Sequence, residues 1–231
     1  MGMFGNFKTE GIEASKDSLG GFNRLPSGIY EGTIKTLFVR KLASGTYQAT
    51  VIADLGDHGE YREQLYITNK EGKNYSEFNG KKRFRAGYTI VNDITLVTTG
   101  KNLYELEPED RTFKIYDFDA KEEVPTSVPT IIECMGEGIA LAITLTKEFK
   151  RKQDDSGEWV DTDETVETNK IAKVFYPKDM ATVNERNSNA DVSFAEAWLA
   201  KYKDQVIDKT ESSSKAKPTQ ASDTPKKSLF K

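Results

Sequence analysis

YQATVIADLGDHGEYREQLYIT, residues 47–68, alternates apolar and polar side chains on both sides of a Gly-Asp-His-Gly break. Alternation with period two marks a strand with one buried face. In the first half, Tyr47, Ala49, Val51, Ala53 and Leu55 share a face, and the opposite face is mostly polar. The turn Gly56–Gly59 leads into Glu60–Thr68, where Tyr61, Leu65 and Ile67 hold the core parity. Arg62, Gln64 and Tyr66 then point the other way. A cation, an amide and a ring on the solvent side of a strand make a binding surface. Upstream, Ile29–Val39 sets Tyr30, Ile34 and Phe38 on one face, and the loop Lys41–Gly45 joins it to Tyr47. The spacing predicts a three-stranded meander.

Downstream, Asn69–Gly87 is too polar and too rich in Gly and Asn for a core element, and is expected to be a long, basic, partly hairpin-like excursion. Ile90, Val91, Ile94 and Val97 recur at helical spacing, with Gly100 placed to end a helix over Thr89–Thr99. Thr112–Phe118 returns to strand character. Val124-Pro125 and Val128-Pro129 predict an extended, rigid link. Ile139–Phe149 alternates well and pairs naturally with Asn169–Tyr176, leaving the acids from Asp154 to Glu167 on an exposed hairpin tip. A last helix spans Phe194–Tyr202, with Ser193 and Glu196 as a capping box and Phe194, Trp198 and Tyr202 on one core stripe.

The pattern is mainly β: about five short strands, a helix after the third, and long connections. It fits a closed five-stranded barrel with insertions and a few short helices, of the OB-fold kind, which binds oligonucleotides across its strand 2–3 face. The organisation expected is an N-terminal extension over 1–27, holding a short helix at Thr9–Ser18, and one domain over 28–208. A flexible basic tail over 209–231 completes it. That tail carries six Lys against two acids among Ser, Thr, Pro and Ala, a composition too polar to fold alone.

The region Tyr61–Tyr88 holds seven Lys/Arg, six aromatics and three acids, in a chain whose net charge is −4. Removing the tail's +4 leaves the body at about −8, so general charge bias does not create this basic island. Single-stranded nucleic acid needs this mixture, since cations neutralise phosphates and rings stack on unpaired bases. Arg62, Lys70, Lys73, Lys81, Lys82, Arg83 and Arg85 are the candidate phosphate contacts. Tyr66, Tyr75, Phe78, Phe84 and Tyr88 are the candidate stacking rings, with Tyr61 turned toward the core. The bland alternative is a solvated loop whose aromatics anchor strands.

One cysteine, Cys134, and one histidine, His58, rule out an intrachain disulfide and a Cys/His metal site. His58 reads as an exposed turn residue and Cys134 as a small buried hydrophobe. The acids near Gly157 miss the spacing of a calcium loop, and Gly136-Glu137-Gly138 lacks a phosphate-loop pattern. No catalytic constellation, metal or cofactor is expected, so the chain reads as a binding protein rather than an enzyme. No apolar run approaches a bilayer span and no charged leader precedes an apolar stretch, which makes a cytosolic protein the default.

Several phrases resemble a family of bacteriophage single-stranded DNA-binding proteins. They are FKTEGIEASKDSLGG at 7–21, EQLYITNKEGKNY at 63–75, KKRFRAGY at 81–88, LVTTGK at 96–101 and KIYDFDAKEEVP at 114–125. The resemblance covers most of residues 4–205. It implies an OB-fold protein without catalytic residues that coats single strands during phage replication and recombination, in the cytoplasm of the infected bacterium. The choice of DNA over RNA comes from the resemblance alone. The ending departs from the acidic tails of bacterial single-strand binders, because Lys226-Lys227-Ser228-Leu229-Phe230-Lys231 is basic. Ser228, Leu229 and Phe230 look like the end of a sliding-clamp peptide and are candidates for recruiting replication or recombination proteins. A different expectation, a phage assembly module, has the basic loop and N-terminal extension docking an acidic partner.

Overall fold

The computed structural model describes residues 24–117, 121–154 and 159–210. The expected Thr9–Ser18 helix, the tip of the acidic hairpin and Ser228–Phe230 lie outside them. The described elements are β1 (Gly28–Lys41), β2 (Tyr47–Asp54), β3 (Glu60–Tyr66), β4 (Tyr75–Phe78) and β5 (Lys81–Phe84), then α1 (Ala86–Thr99). After it come β6 (Glu109–Asp117), β7 (Glu122–Thr130), β8 (Gly138–Gln153), β9 (Trp159–Phe175), α2 (Val183–Ser188), α3 (Phe194–Tyr202) and β10 (Val206–Asp208). The molecule is mainly β, as the alternation predicts.

One sheet of eight strands dominates. Its path is β10-β8-β1-β2-β3, with β9 on the other edge of β8 and the β6–β7 pair joined to β1. The meander β1–β2–β3 is antiparallel and in the expected order. A bulge between Ile34 and Thr36 reverses the side-chain parity of β1. Leu37 therefore joins Tyr30 and Ile34 in the main core, while Phe38 turns to the opposite face and packs with Ile115 and Val128. The single face drawn through Tyr30, Ile34 and Phe38 is thus corrected by one inserted residue.

The main core lies between the sheet and α1. Ala49, Val51, Ala53, Leu55 and Tyr61 meet Val91 and Ile94 of the helix and Ile139, Leu141 and Ile143 of β8. The helix starts at Ala86, three residues before the predicted start, and ends as expected: Gly100 adopts φ +74° and donates its N–H to the Leu96 carbonyl at 3.0 Å. Asp93 on α1 and Lys173 on β9 form a largely buried ion pair at 2.8 Å. Cys134 is buried as expected, and burial raises its thiol pKa.

The closed five-strand ladder expected from the sequence is not formed. Among the described residues β3 bonds only to β2, and β9 only to β8, apart from a single bridge from Phe175 to Thr182. The gap between β3 and β9 is crossed by a side chain instead. Glu63 sits at a core-parity position, and its Oε2 accepts the Ile171 N–H and the Tyr61 O–H, both at 2.7 Å. Burial raises the Glu63 pKa against the lowering pull of those two donors and of Lys170.

Three further expectations change. The segment 122–130 is not a link but strand β7, paired along its length with β6; its prolines are tolerated because its other edge bonds to β1 only at Phe38↔Thr130. The β8–β9 hairpin is longer than its apolar alternation, because Lys150 and Arg151 face Glu164 at 2.7 Å and Asp161 at 3.3 Å. Much of the acidic segment is therefore paired strand. Ser193 makes no side-chain cap at α3; Glu185 Oε1 instead accepts the N–H groups of Ser193 and Phe194, both at 2.8 Å. Of the expected stripe, Trp198 is buried and Phe194 is exposed.

Candidate nucleic-acid interface

The outward parity of β3 holds. Arg62, Gln64 and Tyr66 are exposed, and Tyr66 presents 55% of its surface. Just beyond the strand, Asn69 closes a tight loop. Its Oδ1 accepts the N–H groups of Glu71 and Lys73 at 3.0 and 2.8 Å, while its own N–H reaches the Lys73 carbonyl at 2.9 Å. Lys70 and Lys73 ride on that loop; Lys73 pairs with Glu71 at 2.6 Å, which raises the lysine pKa through the hydrogen bond and the charge.

The excursion folds into the two-stranded hairpin β4–β5. Its turn, Asn79-Gly80, has φ +51° and +70°, the left-handed pair that a tight two-residue hairpin requires. The register places Tyr75, Glu77, Lys82 and Phe84 on one face and Ser76, Phe78, Lys81 and Arg83 on the other. Lys82 Nζ lies 4.9 Å from the centre of the Tyr75 ring. Phe78 is 77% exposed and Phe84 64% exposed, which is unusual for so apolar a side chain.

Three candidates differ from the exposed ones, the first being Tyr75, which is half-buried with Lys82 over its ring. Tyr88 is only 8% exposed and belongs to the main core; its ring supports Phe84, with centroids 4.9 Å apart. Its place is under the stacking ring rather than against a base. Arg85 is half-buried, its N–H bonded to the Asn74 carbonyl at 2.9 Å to pin the hairpin base, and its Nε has no partner.

What joins the parts is a close approach. A Cβ on Gly87 would stand 2.4 Å from the Tyr66 carbonyl oxygen, so only glycine lets the start of α1 rest on the end of β3. The hairpin, which leads directly into α1, is thereby anchored at the end of β3. Gly45 plays a similar part, since its Cβ would meet the Lys70 carbonyl at 2.7 Å. That contact brings the β1–β2 loop alongside, with Lys41 Nζ 5.6 Å from the Tyr47 ring centre. Tyr47 is exposed at this end, contrary to its predicted core parity. Sequence reasoning missed Lys41 and Tyr47 as neighbours of the site, because only the loop contact reveals them.

Among the described residues no group of His, Cys, Asp and Glu is gathered to hold a metal ion. Comparison with protein-family models, with curated proteins and with solved structures finds no match for this chain.

Proposed function

We propose that this chain is a non-catalytic, sequence-independent single-stranded DNA-binding protein of the OB-fold type. In this reading it is a bacteriophage protein that coats single strands during replication and recombination in the cytoplasm of the infected bacterium. The observation that carries the reading is the Gly87–Tyr66 contact. It anchors a hairpin of exposed phenylalanines and cations at the end of the strand that carries Arg62, Gln64 and Tyr66. Cations for phosphates and open rings for bases are then offered by the outward row of β3 and by both faces of the hairpin.

The strand order β3-β2-β1-β8-β9, with α1 following β3 and Glu63 bridging the two ends, supports an OB-like barrel in which a carboxylate stands in for the last ladder. On this reading Tyr66, Phe78 and Phe84 stack on bases, each worth about 1–3 kcal/mol, and Arg62, Lys70, Lys81, Lys82 and Arg83 neutralise phosphates. Tyr88 and Arg85 hold these groups in place. Ser228-Leu229-Phe230 recruit replication or recombination proteins.

The test is a titration with a dT oligonucleotide, followed by intrinsic Tyr/Trp fluorescence over a salt series. Strong quenching that weakens with salt is expected, and replacing Lys81, Lys82 and Arg83 together by Ala flattens the salt slope by about two units. No quenching by the native chain at low salt sinks the proposal and favours an assembly module.

A further inference from the structure

We propose that Arg40, oriented by Gln48, is a phosphate contact in a nucleotide-sized subsite on the outward face of β1–β3, with Tyr66 as the base platform. The inference rests on the single-strand binding reading above and adds two residues that the basic stretch 61–88 does not contain. The register puts Gln48 directly across from Arg40 on one side and from Tyr66 on the other. The three side chains form one row across three strands, spanning roughly 10 Å between the outer two.

Arg40 is prepared for an anion. Its Nε and Nη2 both donate to Gln48 Oε1, at 3.1 and 3.0 Å. That fork uses two of the five guanidinium donors and leaves three. Gln48 is itself buried, 3% exposed, so the orientation is held from a fixed point. The partner is a neutral amide, and among the described residues Arg40 has no ion pair with a carboxylate. A half-buried cation held by an amide keeps its full charge for a ligand, whereas Arg111, Arg151 and Arg186 each spend theirs on an acid.

The next row adds an unmet polar group. Gln64, Thr50 and Phe38 are aligned across the same strands, and Thr50 is fully buried with no partner for its Oγ1. The β6–β7 arm helps to enclose this face. On a flat sheet Phe113 would stand roughly 16 Å from Phe38, two strands across and four residues along. Their rings instead stack at 5.5 Å, so the arm folds back over β1, and the β3 side chains Arg62, Gln64 and Tyr66 are exposed. A row with an open aromatic ring at its β3 end and a poised guanidinium at its β1 end suits a single strand lying across the sheet with its bases toward β3.

The experiment uses the full chain and a dT oligonucleotide over a salt series. Arg40→Gln, which keeps an amide donor toward Gln48, is expected to weaken binding about tenfold. It also lowers the salt slope by about 0.7. Arg40→Lys keeps the slope near the native value while losing part of the affinity, since the fork is gone. Gln48→Leu weakens the native protein but has no further effect on Arg40→Gln, the signature of a residue acting through another. If Arg40→Gln binds with native affinity and slope while the Lys81/Lys82/Arg83 variant loses slope, the subsite is wrong and the single-strand reading stands. If the native chain does not bind the oligonucleotide at all, both fall.

Discussion

At the scale of single residues, Glu63 shows how a side chain can take over a task that backbone usually performs. It satisfies one main-chain donor on β9 and one phenol on its own strand, at the cost of keeping a carboxylate away from water. Its pKa is raised, so between the ordinary carboxylate value and the raised one the folded protein holds a proton that the unfolded chain has released. Stability therefore falls as pH rises through that window. Glu63→Gln keeps an acceptor for Ile171 and Tyr61 but has no charge to bury. Its melting temperature is expected to be flatter than the native curve across the window, and at least equal to it above. Glu63→Leu leaves both donors unmet and is expected to lose about 2–4 kcal/mol, measured by denaturant unfolding. A Glu63→Gln curve that follows the native pH dependence removes Glu63 as its source.

At the scale of elements, the strand parities were legible because a period of two leaves little choice once one face is apolar. Arg62, Gln64 and Tyr66 could be read as outward from the letters alone. The hairpin had a stronger signal than its polar composition suggests, since Asn79-Gly80 between two aromatic–basic runs is the pairing that a left-handed turn needs. The β1 bulge had no such signal. Thr36, Leu37 and Phe38 fit either parity by composition, and the choice is made by β7 and Phe113 from far along the chain. The Gly87 contact was equally hidden, because a glycine near a helix start reads only as a break. Gly87→Ala tests it: the added methyl meets the Tyr66 carbonyl, and a loss of about 1–3 kcal/mol is expected from overpacking. Oligonucleotide affinity should drop as well, since the hairpin is displaced from the end of β3. A variant that binds and melts like the native protein would show that the contact does not position the hairpin.

At the scale of the whole molecule, the order of the meander and the existence of α1, α3 and the β8–β9 hairpin followed from local pattern. Closure did not. Barrel closure depends on where β9 ends up relative to β3, a separation of about a hundred residues that alternation cannot report. β10 was also invisible: three residues running parallel to β8 are too few to form a pattern. The Asp93–Lys173 pair ties α1 to β9 across this long separation. Asp93→Ala leaves the lysine largely buried without its partner, and a loss of about 3 kcal/mol is expected in urea unfolding. Asp93→Leu together with Lys173→Met should recover most of it. Loss in the double variant equal to that in Asp93→Ala would mean that the charges, rather than the packing, hold the helix.

The unpaired margin between β3 and β9 gives the sheet a hinge line. A cylinder stitched all round by main-chain bonds widens only when a whole run of them parts together. Across this margin, among the described residues, the Glu63 carboxylate does the fastening, so parting it is a local event. Amide exchange at Ile171 should then be quicker than at Leu141 or Val51, deep in continuous ladders, and the strand carrying Arg62 and Tyr66 sits on the compliant rim. Nucleic acid lying along that rim would slow the exchange at Ile171 without touching it.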